Sequence, residues 1–304
     1  MDRPERPAPE AAPDGPDPDW SAITRRNARS VQTTIGWIFW DPGAVARYQA
    51  LGLNGPLGYL ATRGAPFAGA GPEAMAASFG SISPVGIAIV FSQLGSASRF
   101  LPFWEARNQA VLEGLAHHAP DLAEPLADFG PDLWRVAEQL PVVGRPFAAS
   151  HLGLPRPPDP VLSGWHAVNY LREWRGDTHW ALVAGQRLSG DEASVLHNAW
   201  LGYEGDWLSE SRGNSPESIA AAWAGLERRG LATDRVVNDD GIALRQWLED
   251  ETDRCTTLPW ERLGQARSVE FATRFEPPCE LLLRRVDQTA GPNYQPASRL
   301  RLPR

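Results

Sequence analysis

The sequence predicts a mainly α-helical protein, with an N-terminal helical subdomain followed by a winged-helix-like C-terminal subdomain. Apolar residues recur near helical spacing over long stretches, and proline with capping residues marks several helix starts. A short strand-like run lies among the helices of the C-terminal part, at 231–237. The proline-rich run 155–160 predicts a boundary between the two parts. We therefore expect subdomains at 21–154 and 160–275.

The two ends of the chain differ from the rest in composition. Residues 1–20 contain six prolines and several acids but almost no apolar side chains before Trp20. Such a segment cannot bury enough apolar surface to offset the entropy of ordering it. We expect a disordered Pro/Asp-rich leader at 1–20 and, for similar reasons, a flexible tail at 290–304.

The N-terminal subdomain is expected to contain helices separated by Gly/Pro loops. Asp41 followed by Pro42 is typical of an N-cap and first helical residue, and predicts a helix through Ala50. Ser83 and Pro84 similarly predict a helix to about Ser96. The segments Phe103–His118 and Pro131–Leu140 have apolar residues near a spacing of 3.6 and predict amphipathic helices.

The C-terminal subdomain shows a more regular order of start and stop signals. A helix from Pro160 is expected to stop at Gly176, where Asp177 can cap the next helix, through about Arg187. The remaining predicted elements are a helix opened by the capping box at Ser189 and ending near Leu201, a helix from Pro216 to Arg229, a strand pair within Leu231–Val237, and a helix over Ile242–Arg254. This order is that of a winged helix-turn-helix.

The amino-acid composition indicates which cellular environment and which classes of binding partner to expect for this protein. The chain has 304 residues, a formal charge of −8 and no lysine, and this charge opposes nonspecific binding to nucleic acid or anionic membranes. No apolar run is long enough to span a bilayer, and the N-terminus lacks an apolar signal core. Cys255 and Cys279 have no metal-ligand spacing and are expected to be free thiols. We expect a cytoplasmic protein without a membrane partner.

The segment Trp165–His179, WHAVNYLREWRGDTH, is the densest in chemistry-bearing side chains. On a helix, one stripe comprises His166, Tyr170, Glu173 and Asp177, and an adjacent stripe comprises Arg172, Arg175 and His179. Tryptophans lie beside both stripes, so the segment is expected to form a polar wall of an aromatic-rich pocket. The alternative is a buried ion network that joins the two halves of the molecule.

From Val31 to about Gly264 the chain resembles a large actinobacterial family described as helix-turn-helix or MarR-like. The resemblance rests on residues 50–67, 142–160, 165–184, 216–231 and 252–260, and is most specific in the block WHAVNYLREWRGDTHWALVA. It implies a winged-helix fold but no particular reaction. Family members usually carry a histidine where this chain has Gly36. The neighbouring Trp37 suggests a more aromatic pocket.

Acid–base chemistry is the catalysis that these side chains favour. Histidines titrate near neutral pH and carboxylates can orient them, so the catalytic candidates are His166, Glu173, Asp177 and His179. Guanidinium groups and aromatic rings can hold an anionic substrate, so the binding candidates are Arg63, Tyr170, Arg172, Arg175, Trp37 and Trp165. No metal site and no cofactor are predicted. Haem with a lone ligand at His151, His166 or His197 stays an open alternative.

The preferred function is a small-molecule-binding protein that acts as an enzyme in specialised metabolism, using acid–base chemistry without a redox cofactor. The alternative is a MarR-like regulator whose pocket senses a small molecule. DNA binding is disfavoured because residues 160–254 contain nine arginines and sixteen acids, and the expected recognition helix begins with Glu217. A homodimer is a further open alternative.

Overall fold

The computed structural model describes residues 17–290, which are mainly α-helical, as the sequence predicts. The helices are α1 Trp20–Gly36, α2 Pro42–Ala50, α3 Gly55–Gly64, α4 Pro72–Phe79, α5 Pro84–Leu94, α6 Leu101–His118, α7 Ala123–Ala137, α8 Pro146–His151, α9 Pro160–Gly185, α10 Gly190–Leu201, α11 Trp207–Ser211, α12 Pro216–Arg228, α13 Asp239–Cys255, α14 Leu258–Leu263 and α15 Gln265–Thr289. The strands are β1 Ala232–Thr233 and β2 Val236–Val237. The predicted leader, apart from residues 17–20, and the predicted tail, apart from residue 290, lie outside the described residues.

Capping residues begin several helices where the sequence predicts them. The Asp41 side chain accepts hydrogen bonds from the backbone N–H groups of Gly43 and Ala44, at 2.8 and 3.3 Å. Ser189 and Glu192 form a reciprocal capping box at the start of α10, with distances of 2.8 and 3.0 Å. These bonds satisfy N–H groups that have no partner within the helix, so both helix starts are confirmed.

Two sequence-based helix boundaries are wrong. Helix α9 does not stop at Gly176 but continues to Gly185, and Asp177 lies inside it instead of capping a new helix. Helix α7 begins at Ala123, eight residues before the predicted start at Pro131, which lies inside the helix. Most of α9 is buried along its length, and this tertiary packing outweighs the weak helix propensity of one glycine.

Helices α7 and α9 approach each other closely because glycines lie at their crossing. A Cβ atom built on Gly164 would lie 1.9 Å from the carbonyl oxygen of Leu126. A Cβ on Gly130 would lie 3.1 Å from the Cα of Gly164. The two backbones are therefore in contact at this point.

Buried apolar side chains form two clusters that meet along α9. The larger cluster runs from Val31 to Trp174 and also includes Trp260 of α14 and Phe271 and Phe275 of α15. The smaller one includes Val183, Leu196, Leu226 and Leu248, among others. Helix α9 contributes to both clusters, because its N-terminal part packs in the first and Val183 in the second. The division of the chain into subdomains at 154 and 160 stays a prediction.

The smaller cluster contains the helices and hairpin expected after α9. β1 pairs antiparallel with β2 in the register Ala232–Val237 and Thr233–Val236. Asp234 and Arg235, between the strands, have φ values of 48° and 57°, as a tight two-residue hairpin turn requires. Among residues 17–290, we find no helix with the length and apolar character of a membrane-crossing segment.

Candidate functional site

The side chains predicted along α9 face three different surroundings. The helix is buried along most of its 26 residues, and different helices pack against it at different points along its length, so residues of one stripe contact different neighbours. His166, Arg172 and Glu173 meet α1, α3 and α6, while Arg175 and His179 meet α13. The structure therefore separates the predicted residues into groups.

A carboxylate held by two arginines forms the first group. Arg63 donates hydrogen bonds from Nε and Nη2 to Oε1 and Oε2 of Glu173, at 3.1 and 2.8 Å. Arg172 donates from Nη1 to the same carboxylate and from Nε to Gln32, at 3.0 Å for the latter. Burial by itself would raise the pKa of Glu173, but the charges of Arg172 and Arg63 outweigh it and lower the pKa to about 2. Glu173 is therefore ionised at neutral pH.

Beside this group lies Arg107 of α6, a buried arginine with free donors. Arg107 exposes 2% of its surface to solvent. Its guanidinium carbon lies 3.9 Å from the centre of the Trp104 ring and 4.9 Å from the centre of the Trp165 ring. Within residues 17–290, neither Nε nor Nη2 has a hydrogen-bond acceptor. Burial lowers the pKa of Arg107 to about 10, with Tyr48 and Glu173 opposing the shift, so the guanidinium is charged at neutral pH.

Two histidines complete what we call the Arg107 site: Trp104, Arg107, His151, Trp165 and His166. Nε2 of His166 lies 2.9 Å from Oδ1 of Asn108, and Nδ1 of His151 lies 2.9 Å from the carbonyl oxygen of Phe147. Nε2 of His151 has no hydrogen-bond partner in the described part of the chain. Both imidazoles lie near Trp104, with ring centres at 5.0 Å for His166 and 6.0 Å for His151.

The two imidazoles are neutral at physiological pH. Burial lowers the pKa of His151 to about 4, with Glu173 opposing the shift and Arg107 adding to it. Burial and then the charge of Arg107 lower the pKa of His166 well below its ordinary value. Because a backbone carbonyl accepts but cannot donate, Nδ1 of neutral His151 carries the proton. Its Nε2 therefore presents a lone pair.

A second polar group lies where α9 meets α13. Nη2 of Arg175 donates to Glu249 and Asp253, both at 2.7 Å, and Arg25 donates to the other oxygen of Asp253 at 2.9 Å. Nδ1 of His179 lies 3.0 Å from the Thr252 hydroxyl, and burial lowers the pKa of His179 to about 3. These ion pairs join α1, α9 and α13.

Tyr170 and Asp177 face α7 and α8. Asp177 accepts a hydrogen bond of 2.9 Å from the backbone N–H of Ala148, in the first turn of α8. Burial raises the pKa of Asp177 to about 6, against the lowering effect of that bond. Tyr170 is fully buried, its hydroxyl has no hydrogen-bond partner among residues 17–290, and burial raises its pKa to about 12.

Trp37 and Gly36 lie at the end of α1. A Cβ atom on Gly114 of α6 would lie 2.3 Å from the Trp37 ring, so the indole is seated against that glycine. A Cβ on Gly36 would lie 3.4 Å from Nε2 of Gln32, the side chain that accepts from Arg172. A side chain at position 36 would thus lie beside the residue that holds Arg172.

Arg107, Trp104 and Asn108 were not among the residues predicted from the sequence, and His151 was predicted merely as an alternative lone haem ligand. A signal for Arg107 exists in the sequence, since Phe103, Arg107 and Val111 recur at intervals of four on one face of α6. An arginine on an otherwise apolar, buried face requires a partner. The role predicted for each member of the 165–179 segment stays a prediction.

Two cavities lie near the predicted segment. One, of about 20 Å³, borders Leu171, Trp174 and Arg175, which is space for roughly one water molecule. The other is an open groove of about 410 Å³ beside Trp134 and Arg156. Within residues 17–290 no three His, Cys, Asp or Glu side chains are grouped so that they could hold a metal ion.

The comparisons with known proteins give one match. A sequence-family model described as "Helix-turn-helix family" matches residues 24–288 of this chain. No curated protein and no solved structure matches the chain.

Proposed function

We propose that this protein, which belongs to the helix-turn-helix family, binds a small anionic molecule at the Arg107 site. The observation that carries the proposal is the buried Arg107 guanidinium, whose Nε and Nη2 have no acceptor within the described residues. An uncompensated buried charge destabilises a protein by on the order of 3–5 kcal/mol. A bound anion would supply both the opposite charge and the missing acceptors.

The charges around the site favour an anion over a cation. Glu173 carries one negative charge against the two positive charges of Arg63 and Arg172, and Arg107 adds a third positive charge. His151 and His166 add none, because their lowered pKa values leave both imidazoles neutral. An anion at Arg107 is therefore attracted by the whole group.

Acid–base catalysis on the bound molecule would fall to His151 or His166. The lone pair on Nε2 of His151 can accept a proton, and His166 is held by Asn108 through its Nε2–H. In this proposal Glu173 holds Arg63 and Arg172 in place, and Arg175 and His179 connect α9 to α13. The chemistry needs no redox cofactor.

A ligand-responsive, MarR-like transcriptional regulator is the second candidate function. Family membership and the order α10, α11, α12, β1, β2, α13 favour it, because α12 then occupies the position of a recognition helix and β1–β2 that of a wing. The surface charge opposes it. The exposed side chains of α12 include Glu217, Ala220 and Ala221, and its one arginine, Arg228, lies at the C-terminal end.

The test of the main proposal compares small molecules retained by three proteins purified in parallel from the same cells. These are the wild type, Arg107→Met and the control Arg99→Met, which changes an exposed arginine. After denaturation, mass spectrometry of the extracts should show an anionic compound with the wild type and Arg99→Met and not with Arg107→Met. Identical extracts from all three proteins would overturn the proposal.

The regulator is tested by titrating the protein against DNA from upstream of its own gene at several salt concentrations. Tight binding that weakens steeply with salt would establish DNA binding despite the charge of α12. Weak binding that is equally strong for unrelated DNA would contradict the regulator function. It would indicate that the winged-helix elements have a structural role only.

A further inference from the structure

We infer that the ligand of the Arg107 site is a carboxylate, held by Nε and Nη2 of Arg107 in the way that Arg63 holds Glu173. The inference rests on the proposed anion binding and specifies the chemical class of the anion. It starts from which donors of Arg107 are free, since Nε and Nη2 lie on the same edge of the guanidinium and point in parallel.

The chain itself shows what binds to this edge. Nε and Nη2 of Arg63 each donate to one oxygen of Glu173, at 3.1 and 2.8 Å. Nε and Nη2 of Arg26 do the same with the two oxygens of Glu276, both at 2.7 Å. Two parallel N–H groups match the two oxygens of a carboxylate. A carboxylate would therefore satisfy both free donors of Arg107 at once.

The aromatic rings restrict the direction of approach. Trp104 and Trp165 lie against the guanidinium, at 3.9 and 4.9 Å from its central carbon to the ring centres. Because the two indole rings lie against the guanidinium, a ligand that accepts from Nε and Nη2 would meet it along the edge that carries these two buried donors. A planar oxyanion in the plane of the guanidinium fits this approach better than a tetrahedral one, whose additional oxygens project out of that plane.

The test measures thermal unfolding of the wild type, Arg107→Met, Arg107→Lys and Arg99→Met, each with formate, acetate, chloride or sulfate as sodium salts at equal ionic strength. Sulfate stabilises most proteins nonspecifically, so the informative quantity is the rise in midpoint beyond that of Arg107→Met. We expect formate and acetate to raise the unfolding midpoints of the wild type and Arg99→Met by a few degrees more than they raise the midpoint of Arg107→Met. Arg107→Lys should lose the preference for these planar anions.

The outcomes separate this inference from the proposed function. A larger Arg107-dependent rise with sulfate or chloride would show an anion site that is not a carboxylate site, and would overturn the inference alone. No Arg107-dependent rise with any salt would overturn both. Should Arg107→Met fail to fold, the line width of ¹³C-labelled formate with wild-type protein replaces it. If unlabelled acetate reverses the broadening and sulfate does not, the inference is supported. The opposite pattern contradicts it.

Discussion

Glu173 accepts two hydrogen bonds from Arg63, a residue 110 positions earlier in the chain, and the pair joins α9 to α3. Both side chains are nearly inaccessible to solvent, with exposed fractions of 2% for Glu173 and 11% for Arg63. Arg172 shares the same carboxylate. The Glu173 carboxylate is thus bound by Arg63 and Arg172, and it pairs with neither Nε nor Nη2 of Arg107, which lies in the same buried region.

Removing the charge of Glu173 should destabilise the fold strongly. Glu173→Gln leaves Arg63 and Arg172 without their shared counterion, and we expect a loss of about 3–5 kcal/mol in the free energy of unfolding. Urea denaturation measures it. The control is Glu138→Gln, since the Glu138–Arg156 pair is largely exposed and its loss should cost about 1 kcal/mol or less. Equal losses for both variants would contradict the burial argument.

Removing Arg107 should have the opposite effect on stability. In protein free of ligand, Arg107→Met replaces a buried charge by an apolar side chain, and we expect a gain of about 1–3 kcal/mol in the free energy of unfolding. Part of the gain is offset by the lost contacts with the Trp104 and Trp165 rings. Urea denaturation again measures the change, with Arg99→Met expected to stay within about 0.5 kcal/mol of wild type. A loss of several kcal/mol would show that Arg107 is satisfied by the protein itself.

Stability should fall as the pH falls below 6.5. In the unfolded chain His166 binds a proton near pH 6.5, whereas in the folded protein burial keeps its pKa well below that value. The unfolded state then binds more protons, so each such histidine contributes a loss of up to about 1.4 kcal/mol per pH unit. His151, with a pKa of about 4, and His179, with a pKa of about 3, behave alike.

The measurement for this prediction is urea denaturation between pH 7.5 and 5.5. His166→Asn should reduce the slope of stability against pH by the share of one histidine. An unchanged slope in His166→Asn would mean that His166 takes up its proton equally well in the folded protein.

The crossing of α7 and α9 should not tolerate a methyl group. In Gly164→Ala the new Cβ would lie 1.9 Å from a backbone oxygen, so the helices must separate, and we expect a loss of about 3 kcal/mol or more. Gly185→Ala is the matched control in the same helix, because a Cβ there meets nothing within 4 Å. It should be neutral or stabilise by up to about 1 kcal/mol. Thermal unfolding of the two variants compares them, and similar midpoints would contradict the close crossing.

Local signals in the sequence predicted the helical fold well. The N-caps at Asp41 and Ser189 depend on side chains within three residues of the helix start, so the sequence contains everything needed to find them. Gly176 misled the prediction of α9, since the contacts that keep the helix continuous come from distant segments. Asp177 shows the same limit, because its hydrogen-bond donor, Ala148, lies 29 positions away.

The candidate site was harder to predict for the same reason. The sequence predicted a site within residues 165–179, and that segment does contain Trp165, His166 and Glu173. Arg107 and His151 come from α6 and α8, and their proximity to these residues depends on tertiary packing. A charged residue on a buried face was visible in the sequence of α6, but the absence of a partner for it was not.

The crystal structure of the wild-type protein with sodium acetate tests the central claim most directly. The account predicts an acetate ion with its two oxygens within hydrogen-bonding distance of Nε and Nη2 of Arg107, in the plane of the guanidinium. A protein carboxylate or carbonyl oxygen paired with that edge, or acetate bound elsewhere and not at Arg107, would contradict it.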